Sequence, residues 1–129
     1  MYKPSLIVGT IFAMTAVILG AFGAHYLKTI FTPEILTSFE TGVKYQFYHA
    51  FALIALGIYA KFSNNPVTWI HRLLTTGTLF FSVSIYMLCY LKGTMQIGLG
   101  GLGIITPIGG LLMIIGWAMW LFNIIKLEK

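Results

Sequence analysis

The stretch SLIVGTIFAMTAVILGAFGA, residues 5–24, decides the fold because it carries no charged residue from end to end. A helix of this length measures about 30 Å, which matches the hydrocarbon thickness of a bilayer. A secretory signal peptide is the alternative, with cleavage at Ala21-Phe22-Gly23, but the apolar run is long for one. The sequence therefore predicts a retained membrane-spanning helix.

Composition supports a membrane protein throughout its length. The chain has 129 residues, of which 58% are hydrophobic and 9% are charged, whereas soluble domains carry about 25% charged residues. The net charge is +5, but the cations stand singly at the ends of apolar runs, where they anchor helices and form no nucleic-acid-binding stripe. Cys89 is the only cysteine, which excludes an internal disulfide and multi-cysteine zinc sites.

Three more apolar runs follow the first. Together they predict an all-α membrane protein, a bundle of four transmembrane helices in one integral membrane domain that covers residues 1–129. The expected spans are about 5–26, 43–62, 68–91 and 107–125. Trp117 and Trp120, near the end of the last run, are typical of the water boundary.

Capping signals set the predicted helix starts. Thr32-Pro33, Asn65-Pro66 and Thr106-Pro107 each pair a capping residue with a first-turn proline. With Pro4, all four prolines then fit helix starts and none lies inside a span. The glycine-rich segment from Gly93 to Gly103 is predicted to be a loop.

The segment between the first two runs has a different pattern. Ile35, Leu36, Phe39 and Val43 share one helical face, and polar residues occupy the rest. This predicts a short interfacial amphipathic helix between helices 1 and 2, at about residues 33–42. Gly42 would allow a bend before the second span.

The short loops predict the orientation. Four spans place both termini on one side of the membrane, and cations favour the cytoplasmic side. The side of the termini carries five of them: Lys3, Lys61, Arg72, Lys126 and Lys129. The other side carries Lys28, Lys44 and Lys92, so both termini are predicted to be cytoplasmic.

Small residues predict close helix contacts, because they let two backbones approach. These helix-packing residues are Gly9, Ala13, Gly20, Gly23, Ala24, Gly109 and Gly116. The stripe in the first run also predicts a homo-oligomer, although its partner could equally be a helix of the same chain. A polar stripe in the third run is expected to turn inward: Thr75, Thr78, Ser82, Tyr86 and Cys89.

Several segments resemble one family. They are Leu19-Gly20-Ala21-Phe22-Gly23-Ala24-His25, Thr41-Gly42-Val43-Lys44-Tyr45-Gln46-Phe47-Tyr48-His49, and Thr106-Pro107-Ile108-Gly109-Gly110 with Gly116-Trp117. The pattern is similar to the domain-of-unknown-function 423 family, small bacterial membrane proteins related to the animal transmembrane protein 256. In the looser match Leu79 to Tyr86, Val83 stands where the family usually has a glycine. The resemblance implies a four-helix protein of the bacterial plasma membrane and brings no established activity.

Ionisable and polar residues near the non-cytoplasmic helix ends form the candidate site, because such groups are costly at membrane depth. This candidate polar cluster is His25, Glu40, Tyr45, His49, Tyr86 and Cys89. One interpretation is structural, with these groups hydrogen-bonded to one another and to the backbone. Two alternatives are a metal or haem site that uses His25 and His49, and a proton or small-solute pathway.

No catalytic constellation is recognisable. The chain has no Gly-x-Ser-x-Gly elbow, and its three acidic residues leave little to orient a nucleophile. The sequence therefore predicts a non-enzymatic membrane protein without a cofactor. Its expected partners are membrane lipids and other proteins, and its expected role is to support membrane integrity.

Overall fold

A computed structural model describes residues 1–95 and 100–128. Within these residues the chain forms four long helices and no strand, so the all-α class is confirmed. The helices are α1, Lys3–His25; α2, Pro33–Tyr59; α3, Thr68–Met95; and α4, Leu102–Ile125. Short 3₁₀ turns follow α1 at Leu27–Thr29 and α4 at Lys126–Glu128.

Among the described residues, α1, α3 and α4 are long and apolar enough to cross a membrane. The second helix, α2, does not qualify by composition. Its sequence includes Lys44, Gln46 and His49 within the part that the apolar pattern assigns to a span. The count of three spans thus rests on apolarity alone. Whether α2 also crosses the membrane has to be argued from the helices that it packs against.

The segment predicted as a separate amphipathic helix belongs to α2, and the helix continues through Gly42. Thr32 caps the helix, accepting a hydrogen bond from the Ile35 backbone N–H at 3.4 Å. From there α2 runs unbroken to Tyr59. A Cβ at Gly42 would lie 2.7 Å from Tyr86 Cε1, so this glycine gives room for a side chain of α3.

The two N-terminal helices run antiparallel along their whole length. Near one end the Tyr2 backbone N–H donates to the Gly57 carbonyl at 2.9 Å. A Cβ at Gly9 would lie 2.7 Å from the Ala50 carbonyl oxygen, and towards the other end one at Gly23 would lie 3.0 Å from Phe39. Gly9 therefore lets the α2 backbone approach α1 closely, and Gly23 gives room for the Phe39 ring.

This contact locates the predicted small-residue stripe inside one chain. Gly9 and Gly23 are buried, Ala13 and Gly20 are half-buried, and Ala24 is exposed. The face that was expected to join two copies is covered by α2 of the same chain. Self-association stays a prediction, and this stripe no longer supports it.

Helices α3 and α4 make the second glycine contact. A Cβ at Gly116 would lie 2.9 Å from Leu74 Cδ2, and one at Gly109 would collide with the Phe81 backbone nitrogen and the Gly77 carbonyl oxygen. At this level α3 widens into a π-turn, Leu79–Val83. Val83 points outward and is 43% exposed, so the valine leaves the packing of α3 undisturbed.

The N-terminal part of α4 differs from the prediction. The helix begins at Leu102, so Pro107 lies inside it and the predicted start at Thr106-Pro107 is wrong. The Thr106 hydroxyl is paired with the Ser84 hydroxyl at 2.6 Å instead of capping a helix. Both ends of the predicted glycine-rich loop are helical: Gly93 lies in a second π-turn, Leu91–Met95, which ends α3, and Gly103 belongs to α4.

Two predictions fall partly outside the described residues. The centre of that predicted loop, 96–99, is one, and Lys129 of the charge count is the other.

The buried side chains form two apolar clusters. The larger lies at the end of the bundle where the chain begins and includes Phe12, Leu53, Leu56, Ile70 and Leu74. The smaller lies at the opposite end. Its buried members are Leu27, Phe31, Phe39 and Cys89. Between these clusters the helices carry buried polar residues.

Candidate functional site: a polar layer across the bundle

Gln46 on α2 is the centre of the polar layer. Its amide Nε2 donates to the Phe12 carbonyl at 3.0 Å and to Thr15 Oγ1 at 2.7 Å, both on α1. Its Oε1 accepts a hydrogen bond from the Tyr86 hydroxyl of α3 at 2.8 Å. One buried side chain thereby joins three helices, with both amide protons used.

The hydroxyl stripe of α3 turns inward, as predicted. Ser82 and Thr78 are each about 1% exposed. Ser82 Oγ donates to the Gly42 carbonyl of α2 at 2.8 Å, and Thr78 Oγ1 donates to the Leu74 carbonyl of its own helix at 2.7 Å. Ser82 therefore adds a second hydrogen bond between α2 and α3 beside Gln46, whereas Thr75 Oγ1 is buried without a partner among the described residues.

His49 has both ring nitrogens engaged. Trp117 Nε1–H of α4 donates to His49 Nε2 at 3.1 Å, so Nε2 must be the accepting nitrogen. Nδ1 lies 2.8 Å from the Tyr45 carbonyl one turn earlier, which only an Nδ1–H can satisfy. The bonds therefore specify a neutral imidazole with its proton on Nδ1.

The other predicted members of the cluster are not gathered around His49. Tyr45 is next to it, since their rings are stacked 6.3 Å apart. Tyr86 bonds to Gln46, and Cys89 Sγ donates to the Ile35 carbonyl at 3.5 Å. His25 and Glu40 are exposed on the surface of α1 and α2. The structure thus divides the proposed cluster into three buried or half-buried side chains, His49, Tyr86 and Cys89, and three exposed ones, His25, Glu40 and Tyr45.

The described residues contain no group of three or more His, Cys, Asp or Glu side chains that could hold a metal ion. His25 and His49 could contribute two ligands, and a ligand bond from His49 would have to displace Trp117 or the Tyr45 carbonyl. The arrangement is therefore suited to interhelical bonding more than to metal coordination.

A second set of polar contacts lies at the opposite end of the bundle, close to the first residues of the chain. Ser5 Oγ lies 2.9 Å from His71 Nδ1, which joins α1 to α3. Tyr59 and Ser63 both donate to Asn123 Oδ1 of α4, at 2.8 and 2.9 Å. These contacts hold the helices together at this end of the bundle. The local sequence does not predict them, because the bonded partners lie 60 or more positions apart.

A groove opens near the other end of the bundle, between the first turns of α2 and the last turns of α3. Its volume is about 330 Å³. Ile85 and Leu88 give it an apolar floor, while Glu34, Ser38, Thr41 and Lys92 supply polar groups. Glu34 lies ahead of the apolar part of α2, and hydrogen bonds from its own backbone N–H and from Thr32 hold its pKa below the usual value.

Several bonded residues were not among the predicted site residues, and Gln46, Trp117 and Asn123 are examples. A glutamine inside the apolar run of α2 was a usable signal, because an uncharged amide at membrane depth needs partners just as a histidine does. Trp117 was assigned to the water boundary, although it is the donor to His49.

Comparisons with known proteins agree with a membrane protein of no assigned activity. The family model described as "Protein of unknown function (DUF423)" matches residues 19–110. A UPF0382 membrane protein of Staphylococcus saprophyticus is 40% identical over 97% of this chain and 99% of its own length. Another, of Staphylococcus aureus, is 39% identical over 96% of this chain and 97% of its own. No solved structure matches the chain.

Proposed function

The chain belongs to the DUF423 family, and from this premise we propose that it is a four-span membrane protein that acts without catalysis, through contacts with lipids and partner proteins. In this proposal α2 is the fourth span and the buried polar layer holds the helices in one arrangement. The role is to support the integrity of the bacterial plasma membrane.

The antiparallel contact of α1 and α2 is the observation that carries the proposed topology. α1 is apolar enough to cross the membrane, and α2 lies beside it from Gly57, next to Tyr2, to Phe39, next to Gly23. A neighbour that follows a spanning helix over this length spans as well. Its polar residues are tolerated because Gln46 and His49 bond inside the bundle and away from lipid.

The hydrogen bonds of the polar layer support a non-enzymatic role. Gln46 uses both amide protons and its carbonyl on three helices, and His49 uses both ring nitrogens. A group that abstracts a proton or binds a substrate must have a free position towards it. These side chains have their bonding positions filled by the protein itself.

The topology is tested by labelling single cysteines in intact cells with a membrane-impermeant maleimide. Cys89→Ser provides the background, and Thr29→Cys and Asn64→Cys place one exposed thiol in each of the turns that flank α2. If α2 crosses, the external reagent labels Thr29→Cys and spares Asn64→Cys, given cytoplasmic termini. Equal labelling of both turns would show that α2 does not cross, and the reverse pattern would invert the orientation.

A further inference from the structure

The groove described above, between α2 and the end of α3, presents a hydrogen-bond acceptor wall on α2. Ser38 Oγ donates its proton to the Glu34 carbonyl, and Thr41 Oγ1 donates its proton to the Thr37 carbonyl. Each hydroxyl therefore has lone pairs left to accept with and no proton to give. With the ionised carboxylate of Glu34, this wall is matched to a donor group that carries positive charge.

The opposite side of the groove carries the complementary charge. Lys92 lies in the π-turn that ends α3, and its ammonium group donates only. Such a group bonds well to a phosphate. Lysines at helix ends reach the headgroup level of the membrane, so the groove faces the region in which lipid phosphates are found.

Size and polarity restrict the occupant further. A volume of about 330 Å³ is at the lower end of the range for ligand pockets, which suits a headgroup rather than a whole lipid. The apolar floor of Ile85 and Leu88 continues towards the membrane interior, where acyl chains lie. Resting on the four-span arrangement proposed above, we infer that this groove binds a phospholipid headgroup that carries both a primary ammonium and a phosphate.

In this complex the ammonium lies against Glu34, Ser38 and Thr41, and the phosphate lies against Lys92. A primary ammonium offers three protons to this wall of acceptors. A trimethylammonium group has the same charge but donates none, and a glycerol headgroup has hydroxyls but no positive charge. Phosphatidylethanolamine is therefore the matched probe, with phosphatidylcholine and phosphatidylglycerol as controls of equal acyl chains.

The test is native mass spectrometry of the full-length protein in detergent, with the three lipids present at equal concentration. We expect phosphatidylethanolamine to be retained about two- to fivefold over each control lipid, as exposed opposite charges contribute on this scale. Glu34→Gln should bring the phosphatidylethanolamine to phosphatidylglycerol ratio to about one, because it removes the negative charge that attracts an ammonium group and not a glycerol headgroup. Lys92→Gln should lower retention of all three lipids, because all of them have the phosphate.

Glu40→Gln and Lys44→Gln are the matched controls, since both residues are exposed on α2 and neither lines the groove. Ratios between lipids are compared within each variant, so a loss of folded protein does not imitate a loss of selectivity. Equal retention of phosphatidylethanolamine and phosphatidylcholine by the unaltered protein, preference for phosphatidylglycerol, or unchanged selectivity in Glu34→Gln would each overturn the inference. The cysteine-labelling test of the four spans does not depend on these results, so the topology and the lipid preference can fail separately.

Discussion

Two regions of the molecule use polar side chains in opposite ways. In the polar layer around Gln46 and His49, the side chains are buried and bonded across helices. At the helix ends, His25 and Glu34 are exposed, and neither bonds to a neighbouring helix among the described residues. The difference shows that depth alone does not make a histidine or a carboxylate available: what matters is whether a neighbouring helix already supplies its partner.

The largest expected effect is on the glycine contact that brings α3 and α4 together at the level of the polar layer. Gly109→Ala places a Cβ against the Phe81 backbone nitrogen and the Gly77 carbonyl oxygen, which cannot move without shifting a helix. We expect a loss of about 1–3 kcal/mol in the free energy of unfolding, measured by SDS titration in mixed micelles.

Gly110→Ala is the control for this substitution, because its Cβ would lie 3.8 Å from the nearest atom, Phe81 Cδ2. The two variants make the same chemical change at adjacent positions. Equal stability of the two would contradict the close α3–α4 contact.

The next effect concerns the hydrogen bonds of Gln46. Gln46→Leu keeps a similar volume but removes the acceptor of Tyr86 and both donors to α1. The expected destabilisation is about 1–2 kcal/mol, at the upper end for polar contacts between membrane helices. Tyr86→Phe removes one of the same bonds. The loss of stability in the double variant should therefore be smaller than the sum of the losses in the two single variants. Strict additivity in this cycle would show that the Gln46–Tyr86 bond contributes nothing.

The smallest effects sharpen the comparison between the two histidines. His49→Ala should lower stability by about 1 kcal/mol, since it removes the bonds to Trp117 and Tyr45, whereas His25→Ala should leave stability unchanged within about 0.5 kcal/mol. Nitrogen-15 spectra should show the His49 proton on Nδ1, and Trp117→Phe should alter the Nε2 signal.

Metal analysis and an absorption spectrum of protein purified without chelator belong to the same experiment. Stoichiometric metal or a Soret band that His25→Ala and His49→Ala abolish would instead favour the metal or haem interpretation.

The sequence predicted the helices better than their contacts. Apolar runs placed α1 and α3 within a few residues, because a membrane span has a fixed length. The cap predicted at Asn65-Pro66 is wrong, since α3 begins at Thr68 with Val67 at the N-cap position and no side-chain cap. The start of α4 was misplaced because Pro107 is tolerated inside a helix where Thr106 bonds to Ser84 of α3. Such a partner is not visible in the local sequence.

In the candidate site, too, the sequence predicted features of single helices better than contacts between helices. Inward orientation of Ser82 and Thr78 followed from their helical spacing, and the structure confirms it. The pairing of His49 with Trp117 depends on how α2 and α4 are rotated about their axes, which the pattern of one helix cannot supply. For the same reason the small residues of α1 indicated a close contact but not that α2 of the same chain provides it.

The bonds from Gln46 to α1 also bear on how the protein enters its membrane. As the chain is synthesised, α1 emerges first and is apolar enough to partition into lipid alone. α2 carries an amide whose two protons find their acceptors, the Phe12 carbonyl and the Thr15 hydroxyl, on α1. The N-terminal half is therefore best regarded as a helical hairpin. In it, the first helix supplies the hydrogen-bond acceptors that water would otherwise offer to the polar side chain of the second.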